Sequence, residues 1–264
     1  MSVISNVWDV TANTGGQLLR NAGPIVAAIA ISKLLLDLWR KTLGRRRRWV
    51  RLYRRLSLGL QLDYAVELFG KAAYKASARD GEGNEVTEYV WPLATDAYLQ
   101  AIVGDDSIIK RYSLTTTSRW FRPRFKMGSP GNSATFEVKL GKTSFSSLPG
   151  EPSDVYLARG ASFYEYGENR YLGRPGKYAD WICSYTQMGV GRLKPIPINV
   201  PADDSVSRLP GNWYVNLSDA DKKTVESARA GSVVNTITVS KLPHTNPGVL
   251  SFGPRFEEVE LRAH

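Results

Sequence analysis

Few residues in this chain have the types and spacing that enzymatic chemistry needs. Gly141-Lys142-Thr143 looks like the end of a phosphate-binding loop, but position 136, where the first glycine of that motif would stand, is Phe. The two histidines, His244 and His264, do not supply a histidine-based triad or a histidine-rich metal site. Cys183 is the single cysteine; set between Ile182 and Ser184, it reads as a small buried residue. Carboxylates cluster at Asp105-Asp106, Asp203-Asp204 and Glu257-Glu258 with Glu260. Any of these clusters could form half of an acid/base pair or a hard-cation site. Each also has a structural reading: Asp105-Asp106 as a turn, Asp203-Asp204 as a proline-bounded loop, the glutamates as one side of a terminal strand. No catalytic residue, metal site or cofactor is expected, and the chain is read as non-enzymatic.

The most distinctive composition runs from Phe163-Tyr164-Glu165-Tyr166 through Tyr171, Tyr178, Trp181 and Tyr185, interleaved with Arg170, Arg174 and Lys177. Aromatic rings beside guanidinium groups can stack on a base, a sugar or a peptide. The same rings can fill the core of a β-rich domain. Tyr166, Arg170, Tyr171, Arg174 and Tyr178 are the candidate ligand or partner surface, with Arg170–Lys177 expected as its exposed turn.

The elements that would position these residues follow a basic N-terminal region. The net charge is +10, with 35 basic residues against 25 acidic. Nine of the basic residues fall within residues 40–55: Arg40, Lys41, Arg45, Arg46, Arg47, Arg48, Arg51, Arg54 and Arg55. Without that block the chain is close to neutral, which disfavours nucleic acid as a partner, since a nucleic-acid face spreads its cations over a groove. Just before the block, Gly23 to Trp39 forms an apolar run containing Pro24, Ile25 and Ile29. Its length is at the short limit for crossing a bilayer core of about 30 Å. Lys33 and Asp37 interrupt the run four residues apart, so a helix lets them pair, and Trp39 stands where an interfacial aromatic belongs.

The run therefore predicts a single-pass membrane helix, with interfacial and soluble packing as alternatives. Its basic flank (Arg45, Arg46, Arg47, Arg48, Arg51, Arg54 and Arg55) would lie on acidic lipid or remain a solvated stop-transfer segment. Basic residues after the run are the reverse of a cleaved signal peptide. They place the following domain on the cytoplasmic side of the cell membrane.

Beyond Leu56 the pattern predicts an α+β fold. A short helix over 58–70 precedes strands at 86–93, 97–103 and 108–116, with Gly104–Ser107 as a hairpin turn. Further strands are expected at 134–140, 161–166, 181–186, 213–217, 233–239 and 256–261, and a helix at 219–229 capped by Ser218. The organisation is a flexible 1–16, a membrane helix and basic extension at 17–56, an α+β module at 57–120, and a loop-rich, β-dominated 121–264 packed with it.

Leu58-Gly59-Leu60, Val66-Glu67-Leu68-Phe69-Gly70, Thr87–Trp91 and Tyr98–Ile102 together resemble the SmpA/BamE-type module. More widely, the chain resembles uncharacterised bacterial proteins that carry an N-terminal anchor, this module and a downstream Tyr-rich segment, here Tyr166 and Tyr171–Tyr178. The resemblance implies a small envelope-associated binding module. Alanine stands at positions 72 and 73 where the family often has proline, and no lipobox cysteine precedes the match. The expected function is a membrane-anchored binding or assembly module whose partners are the lipid membrane and a protein, or a second copy through the N-terminal helix. A rival is a membrane-acting oligomeric effector with a ligand-sensing domain, supported by Lys33 and Asp37 within the apolar run.

Overall fold

The computed structural model describes residues 44–80, 82–128, 136–159, 164–172, 178–196, 206–210 and 217–241, with Ser32, Lys33, Leu36 and Gly253 individually. The chain divides into two compact units, Met1–Trp49 and Val50–His264. Among the described residues no helix is long and apolar enough to cross a membrane. Pro24, Ile25, Ile29, Asp37 and Trp39 of the expected span lie outside them, whereas Ser32, Lys33 and Leu36 are helical and exposed. Helix α1 (Arg45–Tyr53) carries most of the basic block.

The second unit is a mixed helix and antiparallel-sheet fold dominated by its sheet. Helix α2 (Leu62–Phe69) ends at Gly70, whose φ of 82° is the left-handed conformation that suits glycine at a helix end. The strands that follow are β1 (Tyr74–Arg79), β2 (Glu85–Leu93), β3 (Ala97–Gly104) and β4 (Ile109–Thr116). The turn between β3 and β4 is closed by Asp106, which accepts from the Ile108 amide and pairs with Lys110 at 2.6 Å. That pairing, with the amide bond, holds the Asp106 carboxyl below the usual carboxylate range.

A separate hairpin joins β5 (Arg124–Met127) to β6 (Phe136–Lys139), and a 3-10 turn occupies Phe145–Ser147. Then come β7 (Asp154–Arg159), β8 (Tyr164–Leu172), β9 (Ala179–Tyr185) and β10 (Val206–Pro210). Helix α3 (Asp219–Ala230) follows, capped by Ser218 Oγ, which accepts from the Asp221 amide, and β11 (Thr236–Ser240) completes the set.

Nine of these strands form one antiparallel sheet in the order β1-β2-β3-β4-β11-β9-β8-β7-β10. Strand β11 pairs with both β4 and β9, so residues on both sides of position 120 share a single sheet. Four of the eleven described strands, β1, β5, β7 and β10, lie where no strand was expected. Strand β8 runs on to Leu172, past the expected end at Tyr166.

Cross-strand register separates two faces. On one stand Trp91, Leu93, Leu99, Ala101, Tyr112, Leu114, Ile237, Val239, Cys183, Tyr166, Val155 and Leu157, all buried. Helix α2 covers one end of this face: Trp91 donates its indole N–H to the Gly70 carbonyl at 2.7 Å and packs against Phe69. Tyr53 meets Tyr112 and Phe125 edge-on, Met127 touches Cys183, and Phe145 meets Tyr166 at 4.8 Å. Burying each such side chain contributes about 1.5–3 kcal/mol, and this face is the hydrophobic core.

Candidate functional site

The opposite face of the sheet is built from the same alternation but with different chemistry. Strand β11 reads Thr-Ile-Thr-Val-Ser, and register sets Thr236, Thr238 and Ser240 beside Thr115, Ser113 and Arg111 of β4. On their other flank stand Ser184, Ile182 and Asp180 of β9. The rows continue outward to Gln100 and Glu88 on one side and to Gly167, Asn169 and Asp154 on the other. A polar sheet face normally meets water. Here Glu88, Gln100, Ser113, Thr115, Asn169, Ser184, Thr236, Thr238 and Ser240 are all under 4% exposed.

Most of this polarity is internally paired. Ser113 Oγ donates to Gln100 Oε1 at 3.0 Å, and Gln100 Nε2 donates to Glu88. The Thr115 and Thr236 hydroxyls bond at 2.8 Å, with Thr186 joining at 3.3 Å. Asn169 Nδ2 donates to Asp180 at 2.6 Å. On this face Ser184 Oγ and Asn169 Oδ1 are buried without a partner, as are Tyr53 Oη and Arg170 Nε and Nη1 on the apolar face. A buried polar atom without a hydrogen bond costs about 1–3 kcal/mol, so each marks a place where a bond is missing.

Arg111 shows how the sheet is bent. Burial pulls its guanidinium down to about 10, while the charges of Glu88, Tyr156 and Glu165 pull it back up. Arg111 and Glu165 stand three strands and three side-chain rows apart, about 14 Å across and about 20 Å along a flat sheet. Even two fully extended side chains would not close that distance, so the sheet coils toward its polar face. Gly253 is seated inside the coil. Gln100 Nε2 donates to its carbonyl at 3.3 Å, and a Cβ there would come within 2.6 Å of Thr115 Oγ1 and 3.3 Å of Thr186.

The surface expected from the sequence divides between the two faces. Tyr166 and Arg170 are corrected to core positions, 0% and 4% exposed, because β8 carries them inward on the apolar face. There Glu168 accepts from Tyr166 Oη at 2.8 Å, Arg170 at 3.1 Å and Arg229 of α3 at 2.8 Å. The Arg170 guanidinium also lies over the Phe136 ring. Burial pushes the Tyr166 hydroxyl well above its usual range, and the Glu168 charge adds to the shift. Tyr171 and Tyr178 are exposed at the end of the β8–β9 hairpin, stacked with centroids 5.2 Å apart. Arg174 lies outside the described residues.

Of the basic flank, Arg54 donates to the Arg124 carbonyl, and Arg55 both donates to and lies over Tyr64. Arg45, Arg46, Arg47, Arg48 and Arg51 lie along α1. Cys183 is buried on the apolar face, and desolvation pushes its thiol up to about 12, far from a reactive thiolate. Asp203, Asp204, Glu257, Glu258 and Glu260 lie outside the described residues. Among the described residues no three His, Cys, Asp or Glu side chains gather as a metal-ligand set.

The polar face was missed in the sequence. Its signal was the strict Thr-Ile-Thr-Val-Ser alternation, which fixes sides but does not tell a solvated side from an enclosed one. No protein-family model, curated protein or solved structure matches this chain.

Proposed function

We propose that this chain is a membrane-anchored, non-enzymatic binding module. Residues 17–56 hold it at a lipid bilayer, and the polar inner face of the sheet receives the partner. The binding half of this reading is carried by one observation: an enclosed face of hydroxyl and carboxamide groups that keeps Ser184 Oγ and Asn169 Oδ1 without partners. A face that served packing alone would gain by being apolar. The charges favour an uncharged or cationic partner, since Glu88, Glu165, Asp154 and Asp180 stand against Arg111 among the described side chains. A phosphate backbone would be repelled.

The anchoring half rests on the apolar run at 23–39 and the nine basic residues beside it. Each cation near an anionic leaflet contributes about 1 kcal/mol, which favours the cytoplasmic side for the sheet domain. Fractionation tests the anchor: the full chain should sediment with membranes and need detergent for release, whereas a chain beginning at Ser57 should stay in the soluble pool. A full chain that is soluble without detergent would refute the anchor.

A further inference from the structure

We propose that the outer side of the β5–β6 hairpin, with the turn that carries Trp120, docks on the surface of a bilayer containing anionic lipid. This goes beyond the anchoring segment: it gives the sheet domain its own lipid contact, which stands whether or not residues 17–56 insert.

The hairpin supplies charge. Residues 119–142 hold six basic side chains, Arg119, Arg122, Arg124, Lys126, Lys139 and Lys142, against the single acid Glu137. From Phe121 to Met127 buried and exposed residues alternate strictly, so Phe121, Pro123, Phe125 and Met127 turn inward while Arg122, Arg124 and Lys126 face out. Register sets Arg124 directly across from Lys139, a like-charge pairing that weakens a hairpin. Glu137 answers part of it, pairing with Arg124 at 3.3 Å. The crowding is felt at Lys139. Desolvation lowers its ammonium below the usual range, and Arg124, Lys142 and Arg122 lower it further against the pull of Glu137. A negatively charged surface laid over the hairpin would relieve that repulsion.

The preceding turn supplies an apolar contact. Thr116 Oγ1 donates to the Phe121 carbonyl at 2.5 Å, the Phe121 amide to the Ser118 carbonyl at 3.0 Å, and the Trp120 amide to Ser118 Oγ at 3.2 Å. With the Phe121 ring buried, this pinned turn holds Trp120 outward at 69% exposure, and Arg119 Cζ lies 5.0 Å from the indole centroid. An exposed indole among cations suits the membrane–water interface, where Trp sits at headgroup level and basic residues meet acidic lipid. A nucleic-acid strand would instead need a series of rings to stack on. Trp120 is the one exposed ring of residues 117–127 and 136–142. Arg54 reaches the same hairpin by donating to the Arg124 carbonyl, so the basic block that follows the apolar run ends beside this patch.

The test uses the full chain, brought by detergent removal into vesicles of phosphatidylcholine brominated on its acyl chains, with or without about 30% phosphatidylserine. Bromine quenches a tryptophan only at close range, and the emission that Trp120→Phe removes is that of Trp120. In the phosphatidylserine vesicles this emission should fall at least about twofold relative to unbrominated vesicles of the same composition, and in neutral vesicles it should not. Arg122→Glu combined with Lys142→Glu, both at exposed positions, should abolish the quenching without lowering the melting temperature. Absence of quenching in the phosphatidylserine vesicles overturns the proposal, as does equal quenching in neutral ones. Emission that responds to single-stranded RNA and not to lipid overturns it as well. The anchor is read separately, from quenching of the other tryptophans, Trp39 among them, in vesicles of either charge. Quenching there without quenching of Trp120 leaves the anchor standing and sinks the patch.

Discussion

The two faces of the nine-stranded sheet are both buried, yet they meet their polar groups differently. On the apolar face the one strongly polar feature is a compact cluster, with Glu168 accepting from Tyr166, Arg170 and Arg229 while Arg170 Nε and Nη1 keep no partner. On the other face polar rows alternate with buried apolar side chains, Val86 beside Ile102 and Tyr156 beside Ile182, and bonding is spread along the rows with Ser184 Oγ and Asn169 Oδ1 left over. A concentrated ionic cluster ties distant elements together, here β8 to α3. The hydroxyl bonds of the other face link neighbouring strands, Ser113 to Gln100 and Thr115 to Thr236. We propose that the first kind of polarity maintains the fold and the second receives a partner.

The sharpest way to break this contrast is to remove the carboxylate of the cluster. Glu168→Gln keeps the side-chain shape but leaves the buried Arg170 with no counter-charge, and Arg229, at 18% side-chain exposure, with poor access to water. Breaking a buried ion pair from one side costs about 3–5 kcal/mol. Urea unfolding of the full chain should show a loss of that size with an unchanged slope. A loss below about 1 kcal/mol would mean that the cluster is not what fastens α3 to the sheet.

Much of the fold was legible because local rules act locally. The helix ending at Gly70, the Gly104–Ser107 turn between β3 and β4, and the Ser218 cap all appear where spacing and turn chemistry placed them. Strand β1 was missed because Tyr74–Arg79 mixes charged, polar and apolar residues without an apolar run, and β7 because its run, Val155–Ala158, is only four residues between charges. The candidate surface failed for a different reason. With β8 ended at Tyr166, the tyrosines and arginines beyond it read as one exposed turn. Once the strand continues to Leu172, period-two alternation sends Tyr166, Glu168 and Arg170 to one face and Tyr171 to the other. Enclosure of the polar face depends on long-range coiling of the sheet, which no short pattern encodes.

A smaller effect of opposite sign sharpens the other side of the comparison. Ser184→Ala deletes a buried hydroxyl that has no partner, so the fold should gain about 1 kcal/mol, visible as a raised melting temperature. Stabilisation on removing a polar group is the behaviour of a position kept for binding rather than packing. A destabilisation of similar size would show that the hydroxyl serves the fold, and the polar face would lose its standing as a binding site.

The smallest expected change lies outside both faces' interiors, at the end of the β8–β9 hairpin. Tyr171 is 59% exposed and stacks on Tyr178 with the rings 18° from parallel. Aromatic pairing is worth about 0.5–1.5 kcal/mol when buried, and water on the free ring faces reduces it. Tyr171→Ala should therefore shift stability by less than about 0.5 kcal/mol in urea unfolding. Five residues earlier in the same strand, Tyr166→Phe keeps the ring and removes only the hydroxyl that Glu168 accepts from. It should nonetheless cost about 1.5–3 kcal/mol, the range for a hydrogen bond to a charged group. The ratio carries the argument, because both residues are tyrosines of one strand and only the face differs. Equal losses would mean that the exposed pair is structural too, leaving the hairpin end with no claim to be a partner surface.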